Sequence, residues 1–409
     1  MLQPSDSFSN NWRSKSSAEL YDKLVSNLLL FGITRTANIT DLDFCEIPVY
    51  TSFRPRATTL AVSCGKGLTH IDSIISSIME SIEVDIAESL DSSEYTNSSY
   101  KSLPSIHKPP INYLPLLANN IFNKNIEFSW LLCQSLCNSS SLYLPAATIS
   151  LTHNSIIDPL MTFVWGTNGL ASGSNLSDAL LSGLYECIER DSLISWQQLI
   201  SSGMVKESLV DISTIPFQSS LSLIKKITSN SFKLYLFNRV SDTGIPVYKA
   251  TLHSPHDTTV PLAEGYGCHH LDEIAINRAI TEAVQSRTVI IAGSRDDISY
   301  YKLRDIGAQN IPDDLSKYYM VENFSASDNI FIDSESAVND LIERLNILGF
   351  KDIFYYPFYV PDDLVSVVRV FIPGLQHYSH RHSVPSSRHI QFAPLLHGIR
   401  KTLYDIAKQ

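Results

Sequence analysis

The sequence predicts an α+β fold, with helices and strands interleaved but without the regular spacing of βαβ units. Two observations carry this. Segments of helical periodicity at 177–201, 272–293 and 334–347 alternate with short apolar runs such as 232–238, 245–252 and 364–372. The composition is that of a globular chain: 409 residues, 44% hydrophobic and 18% charged, with 16 Gly and 19 Pro. That excludes a disordered, collagenous or coiled-coil main state, and a chain this long buries a large core without disulfides or metal.

The elements follow in order. Residues 1–17 are rich in Ser and Asn and read as a polar N-terminal arm. A helix is expected over 18–30, stopped by Gly32. Strands are expected at 47–53 and 58–63. Residues 89–110, rich in Ser, Asn and Pro, read as a surface excursion, and 138–142 as a loop. From Tyr143 to Val164, strand-like runs flank a turn at His153-Asn154-Ser155. A helix is expected from about Ser177 to Ser201. The runs 232–238 and 245–252 read as paired strands around Asp242-Thr243-Gly244. Helices at 272–293 and 334–347 follow, and 364–372 reads as a buried strand.

Charge and cysteine usage narrow the function classes. Lys and Arg total 31 against 42 Asp and Glu, a net charge of −11. An acidic chain gains nothing from counterion release, so no nucleic acid partner is expected. The first fifteen residues lack the apolar core of a secretory signal. No window approaches ~18 uninterrupted apolar residues, so no membrane span is expected. Of the cysteines at 45, 64, 133, 137, 187 and 268, only Cys133 and Cys137 are close, and no second pair stands at zinc-site spacing. Reduced, mostly buried thiols in a cytoplasmic protein are the expectation.

Three segments resemble one another. Gly65-Lys66-Gly67 precedes a helix carrying Ser76, Glu80 and Glu83. Gly169-Leu170-Ala171-Ser172-Gly173 precedes one carrying Ser182, Glu186 and Glu189. Gly265-Tyr266-Gly267 precedes one carrying Arg278, Glu282 and Gln285. Positions i, i+4 and i+7 share a helix stripe, so each trio faces one way. Ile71, Ile74, Ile75, Ile78 and Ile82 place the first carboxylate pair beside an apolar stripe. Partly buried carboxylates are costly unless cations or donors compensate, and pairs from separate helices can converge on a hard cation such as Mg²⁺. A Gly-rich turn ahead of a helix N-terminus offers backbone N–H groups to an anion. Clustered carboxylates, Gly turns, Lys and Arg together suggest Mg²⁺–nucleotide binding. For any single E-x-x-E the plainer reading is a solvated helix face.

These motifs resemble the YcaO-domain family. The central signature is Thr167–Gly173 continuing through Gly183-Leu184-Tyr185-Glu186-Cys187-Ile188-Glu189-Arg190-Asp191. The third segment is Gly267-Cys268-His269 through Arg278, Glu282, Gln285 and Arg287 to Arg295-Asp296-Asp297. Gly32-Ile33-Thr34-Arg35, Ile47-Pro48-Val49, Arg54-Pro55, Val368-Arg369-Val370 and Pro373-Gly374 look most like the branch whose genes accompany a TfuA protein. The resemblance spans about 18–376, which would be one YcaO domain, with 377–409 a C-terminal tail packing on it.

The resemblance implies a YcaO-type fold with repeated Gly-loop and helix units around one ATP site. It implies an ATP- and Mg²⁺-dependent enzyme that activates a backbone amide of a peptide or protein. A nucleophile adds to the carbonyl, the oxyanion takes the γ-phosphoryl group of ATP, and phosphate leaves. A Cys, Ser or Thr nucleophile gives an azoline, and external sulfide gives a thioamide. By motif match, Glu80, Glu83, Asp178, Glu186 and Glu189 would hold Mg²⁺. Lys66, Ser76, Ser174, Arg190, Glu282, Gln285 and Arg287 would bind ATP. No catalytic residue is assigned.

The chain departs from the family at Gly173-Ser174-Asn175-Leu176-Ser177-Asp178-Ala179, where Ser174 stands for the usual Asn and Asp178 for a Glu. The ending Leu403–Gln409 lacks the Pro-x-Pro-x-Pro tail of many azoline formers, which favours a thioamide product made with a TfuA-like sulfur-delivery partner. The remaining expectations are an azoline cyclodehydratase, a non-catalytic scaffold subunit, and a homodimer. His377, His380 and His382 read as a solvated loop rather than a metal site, and His269 and His270 as no metal site either.

Overall fold

The structure, a computed structural model, describes residues 13–117, 122–152, 157–255, 260, 262–294, 319–376 and 388. Helix α1 (Ser17–Leu24) opens with a capping box between Ser16 and Glu19. It continues as a 3-10 segment over Val25–Phe31, ended by Gly32 in the left-handed conformation at φ 66°. The helix expected over 18–30 is thus two pieces. The tighter winding turns Leu29 and Leu30 outward and keeps Phe31 in the core.

Strands β1 (Arg35–Asn38), β2 (Val49–Phe53) and β3 (Val62–Lys66) form an antiparallel sheet. The strand expected at 58–63 lies later in the chain. The Glu88 carboxylate takes the amides of Thr58 and Thr59 at 3.2 and 2.8 Å, and Arg54 ties the same turn to Asp85 at 2.8 Å, so these residues join no ladder. Helix α2 (His70–Glu88) then returns over the sheet.

The excursion after α2 carries β4 (Thr96–Ser99), which pairs with β5 (Glu127–Ser135); β6 (Ser141–Pro145) pairs with the other edge of β5, and the one-turn helix α3 (Ala146–Ile149) follows. The sequence expectation misses β5, because Phe128–Leu131 is buried on both faces and shows no alternation. The strand-like run to Val164 is mostly irregular; Phe163 makes an isolated bridge to Leu116.

Next come β7 (Leu170–Gly173), α4 (Leu176–Ser201), β8 (Glu207–Asp211), α5 (Gln218–Ser229), β9 (Lys233–Asn238), β10 (Val247–His253), β11 (Leu262–Cys268) and α6 (Asp272–Ala292). The chain continues through β12 (Tyr319–Asn323), α7 (Ser334–Ile347), β13 (Phe354–Phe358) and β14 (Ser366–Phe371). A five-stranded sheet runs β11-β10-β9-β8-β12, and a six-stranded one runs β4-β5-β13-β14-β7 with β6 on β5. The helices expected at 177–201, 272–293 and 334–347 and the 232–238/245–252 pair are present within a residue or two.

The three glycine segments differ from the expectation of loops. They lie in or directly beside β3, β7 and β11, and their glycines make room for the helix that follows. A Cβ on Gly65 would collide with the backbone of Ser73 and Ser77, one on Gly173 with Ala179, and one on Gly265 with Ala283 and Ala279. Gly169, at φ 78°, additionally needs the left-handed region, and a side chain there would strike the Val370 carbonyl.

These contacts arrange the molecule. Helix α2 packs on β3, α4 on β7 and α6 on β11; each also touches the next strand, α2 on β7, α4 on β11 and α6 on β3. The three strand–helix pairs therefore close into a ring. Each of β3, β7 and β11 is the terminal strand of its sheet, so each presents unpaired backbone groups toward a neighbouring helix. Separate apolar clusters support the pairs: one under α2 and the six-stranded sheet, one between α5, α6 and the five-stranded sheet, one around α4, α7 and β14.

Among the described residues no helix is long and apolar enough to cross a membrane. All six cysteines are free thiols. The turn at His153–Ser155, the motif Arg295–Asp297, the histidines 377, 380 and 382 and the ending 403–409 lie outside the described residues. Of the tail 377–409 only Arg388 is described; its guanidinium pairs with Asp191 at 2.9 Å and Asp242 at 2.5 Å.

Candidate active site

The junctions of the ring are made by the carboxylate stripes. From α2, Glu83 accepts the amide and hydroxyl of Ser172 on β7, at 2.7 and 2.6 Å. Glu80, one turn earlier, accepts the amide of Cys64 on β3 at 3.2 Å. From α6, Gln285 donates to the Cys64 carbonyl at 2.6 Å, and Glu282 pairs with Lys66 of β3. The terminal strands thus find in side chains the partners that a further strand would supply. From α4, Glu186 accepts the amide of Gly169 and lies 3.9 Å from Arg190. Ser76 is half-buried on the α2 stripe, one turn before Glu80.

Burial sets the electrostatics. It pushes the Glu83 carboxyl up to about 8; nearby Glu80 and Glu186 add to this, and the Ser172 hydrogen bonds oppose it. Burial and Glu282 push Glu189 up to about 7, against Arg190, Arg278 and Lys66. Burial also raises Glu186, with Arg190 and Arg369 opposing. Glu282 goes the other way: burial works against its charge, but Lys66 and Arg190 outweigh it and hold the carboxyl below its ordinary value. Glu186, Glu189 and Glu282 all act on Arg190, and Lys66 acts on Glu282 and Glu189, so side chains from α4, α6 and β3 share one electrostatic centre.

The ring carries carboxylate charge that burial disfavours, which is the chemistry a hard divalent cation satisfies. Among the described residues no group of three or more His, Cys, Asp or Glu already has the geometry to hold a metal. Mg²⁺ needs no such cage. It keeps waters and takes one or two carboxylates together with substrate phosphates, so the oxygen set here fits Mg²⁺ brought in with a nucleotide.

Three expected residues have their described partners outside the Arg190 centre. Asp178, on the first turn of α4, is held by hydroxyls: Ser174 at 2.6 Å, Ser334 at 2.5 Å and Ser14 at 2.9 Å. Ser174 therefore faces Asp178, and the pair ties the N-terminal arm and α7 to α4. Arg287 is buried on the outer side of α6, paired with Asp43 at 2.9 Å and donating to the Val260 carbonyl. Lys66, Glu80, Glu83, Glu186, Glu189, Arg190, Glu282 and Gln285 are the expected residues that come together.

The structure adds residues to which the sequence reading gives no role at the site. Arg278 stands one turn before Glu282, where Ser76 and Ser182 stand in the other two stripes, so its stripe position is the signal. Arg369 of β14 is buried near Glu186, and burial lowers its pKa to about 10; a lone arginine inside an apolar strand is the signal there. Arg13 reaches toward Asp178 and Glu83 from the arm, and nothing in its sequence context marks it. His269 is buried beside Tyr185.

Three strand–helix pairs thus surround the buried glutamates Glu83, Glu186 and Glu189. The family model described as YcaO cyclodehydratase, ATP- and Mg²⁺-binding, matches residues 64–376. The chain belongs to that family, an enzyme family. It is 31% identical over 377 residues to a protein encoded in the tfuA 3′ region of Rhizobium leguminosarum bv. trifolii, covering 89% of this chain and 88% of that one. Two solved structures share the fold. YcaO from Methanopyrus kandleri, bound with AMPPCP and Mg²⁺, has a TM-score of 0.68 at 18% identity, over 91% of this chain and 94% of that one. A heterocyclase in complex with substrate and cofactor has a TM-score of 0.77 at 20% identity over 94% of this chain, which spans 55% of that heterocyclase's length.

Proposed function

We propose that this chain activates a backbone amide of a peptide or protein with ATP and Mg²⁺, and that the product is a thioamide formed with a TfuA-like partner. Bound Mg²⁺–ATP would supply the phosphoryl group that converts the amide oxygen into a leaving group. Glu80, Glu83, Glu186 and Glu189 would hold the metal. Lys66 and Arg190 neutralise charge and keep Glu282 ionised, and Gln285 fixes β3 against α6. Asp178 and Ser174 serve the site by fastening the arm over the N-terminus of α4. The observation that carries the thioamide reading is the relative encoded beside tfuA, similar over nearly the whole of both chains.

The family description, cyclodehydratase, favours a second reading in which a substrate side chain is the nucleophile and an azoline forms. ATP consumption is common to both routes, because they differ only in the nucleophile that attacks the activated carbonyl. Mass separates them: sulfur for oxygen adds roughly 16 Da, and loss of water removes roughly 18 Da. The expected result is a sulfide-dependent gain that needs a TfuA-like protein, confirmed as sulfur by high-resolution mass. A product lighter by one water without sulfide overturns the thioamide reading. Bound ATP that is never hydrolysed with any peptide overturns both.

A further inference from the structure

His269 directly follows β11 and is 3% exposed. The Leu271 amide donates to its Nδ1 at 3.0 Å, so the neutral ring carries its proton on Nε2. That Nε2 is buried and makes no hydrogen bond. A buried donor without an acceptor is costly, and a fold tolerates it where an acceptor arrives from outside.

The ring is firmly held. It lies between Tyr185 and Phe331, at centroid distances of 5.0 and 5.1 Å. Tyr185 is hydrogen-bonded at 2.5 Å to His270, His270 at 2.9 Å to Asp340, and Asp340 at 2.5 Å to Arg344. The backbone amide of His269 donates to Pro246 at 3.2 Å. A side chain fixed by its own supporting contacts is the usual form of a preorganised ligand.

Its surroundings define the acceptor. Arg278 and Arg13 both act on His269, and they repel each other. The Nε of Arg278 is also buried without a partner. Cys268, the preceding residue, feels both Glu189 and Arg278, which puts the group beside the carboxylates. Carboxylates act on both guanidiniums, Asp178 and Glu83 on Arg13 and Glu189 and Glu282 on Arg278, yet the His269 Nε2–H and the Arg278 Nε–H still lack an acceptor, and donors of this kind match an oxygen of a tetrahedral anion.

We propose that His269 is a phosphoryl-binding residue: its Nε2–H and the Nε–H of Arg278 take oxygens of the terminal phosphoryl group. The inference rests on the ATP-dependent reading above and adds a neutral donor to it. The same chemistry has two sources, the γ-phosphate of bound nucleotide and free phosphate beside bound ADP.

The test is calorimetry of the full chain with Mg²⁺–AMPPCP, with Mg²⁺–ADP, and with inorganic phosphate added to the ADP complex. His269→Phe keeps a ring between Tyr185 and Phe331 and removes the donor; His269→Gln keeps a donor. The expected result for His269→Phe is a loss of about 10- to 100-fold for AMPPCP, with ADP changed less than about 3-fold and partial recovery in His269→Gln. Phosphate binding lost along with AMPPCP assigns His269 to both sources; AMPPCP lost with phosphate binding intact assigns it to the nucleotide alone. Equal losses for AMPPCP and ADP, or unchanged AMPPCP binding in both variants, overturn the proposal. A raised peptide KM with unaltered nucleotide binding overturns it in favour of the peptide carbonyl. Failure of the wild-type chain to bind either nucleotide overturns the ATP reading itself.

Discussion

Glu83 on α2 accepts both the amide and the hydroxyl of Ser172 on β7, at 2.7 and 2.6 Å. One carboxylate thereby closes a sheet edge and faces the metal-binding centre proposed above. Burial pushes its pKa from 4.5 up to about 8. Below pH 4.5 folded and unfolded chains both hold the proton; between 4.5 and about 8 only the folded chain does. Stability from this group is therefore full at the acid end and declines as pH rises through that window. Mg²⁺ replaces the proton, so its binding should release protons and raise the Tm more at pH 8 than at pH 6. Glu83→Gln, which cannot ionise, should flatten the pH dependence of Tm between 5 and 8 and weaken Mg²⁺–AMPPCP about tenfold or more. A Mg²⁺ effect on Tm of equal size at both pH values would sink the idea.

Lys66 and Glu282 form the second junction, between β3 and α6. Both side chains are about one-fifth exposed, so the full cost of an isolated buried charge does not apply. Lys66→Met should cost about 1–2 kcal/mol, and Lys66→Arg should restore most of it. The mutant's Glu282, deprived of its largest attraction, should titrate nearer neutrality. Denaturant melts at pH 5 and pH 8 read this directly: the penalty should be smaller at pH 5, where protonation neutralises the carboxylate. An equal penalty at both pH values would mean that Lys66 acts by packing alone.

Much of this arrangement was legible from spacing. The stripes carrying Glu80, Glu83, Glu186, Glu189 and Glu282 were readable because a 3.6-residue period shows whichever neighbours surround it. The glycine segments read as turns in the sequence, because glycine before a helix signals a turn by default. Here the helix backbone lies against the strand, and only a structure shows what a Cβ would strike. Strand β5 was hidden because both its faces are buried. Arg287 falls in the motif order of the third segment, yet its pairing with Asp43 joins residues 244 positions apart, which no local pattern encodes. The sequence shows His269 only as a histidine; its unpartnered Nε2 is a property of packing.

The glycine contacts make a sharp contrast. At Gly65 a methyl group meets backbone atoms of α2, which cannot swing aside. Gly65→Ala should cost about 3 kcal/mol or more or abolish soluble expression. At Gly349 a methyl group meets open space, and only its φ of 95° resists substitution, so Gly349→Ala should cost about 1 kcal/mol. Urea melts compare the two. A Gly65→Ala penalty no larger than that of Gly349→Ala would show that α2 can lift off β3.

Arg287 separates a fold residue from a site residue. Its side chain and that of Asp43 are 5% and 2% exposed, and the two are 2.9 Å apart. The guanidinium also lies over the Phe232 ring, 5.1 Å from its centroid. Removing either partner leaves a buried charge without its counterpart, which costs about 3–5 kcal/mol. Arg287→Ala and Asp43→Ala should therefore destabilise by similar amounts, and the double mutant by less than their sum. Because the pair lies on the outer side of α6, AMPPCP affinity per folded molecule should stay within about threefold in both variants, an expectation that follows from placement and not from the strength of the pair. Stability from denaturant melts and affinity from calorimetry on the same preparations check this together. If Arg287→Ala alone loses nucleotide while Asp43→Ala keeps it, the guanidinium reaches the phosphates directly and the motif-based expectation for Arg287 holds.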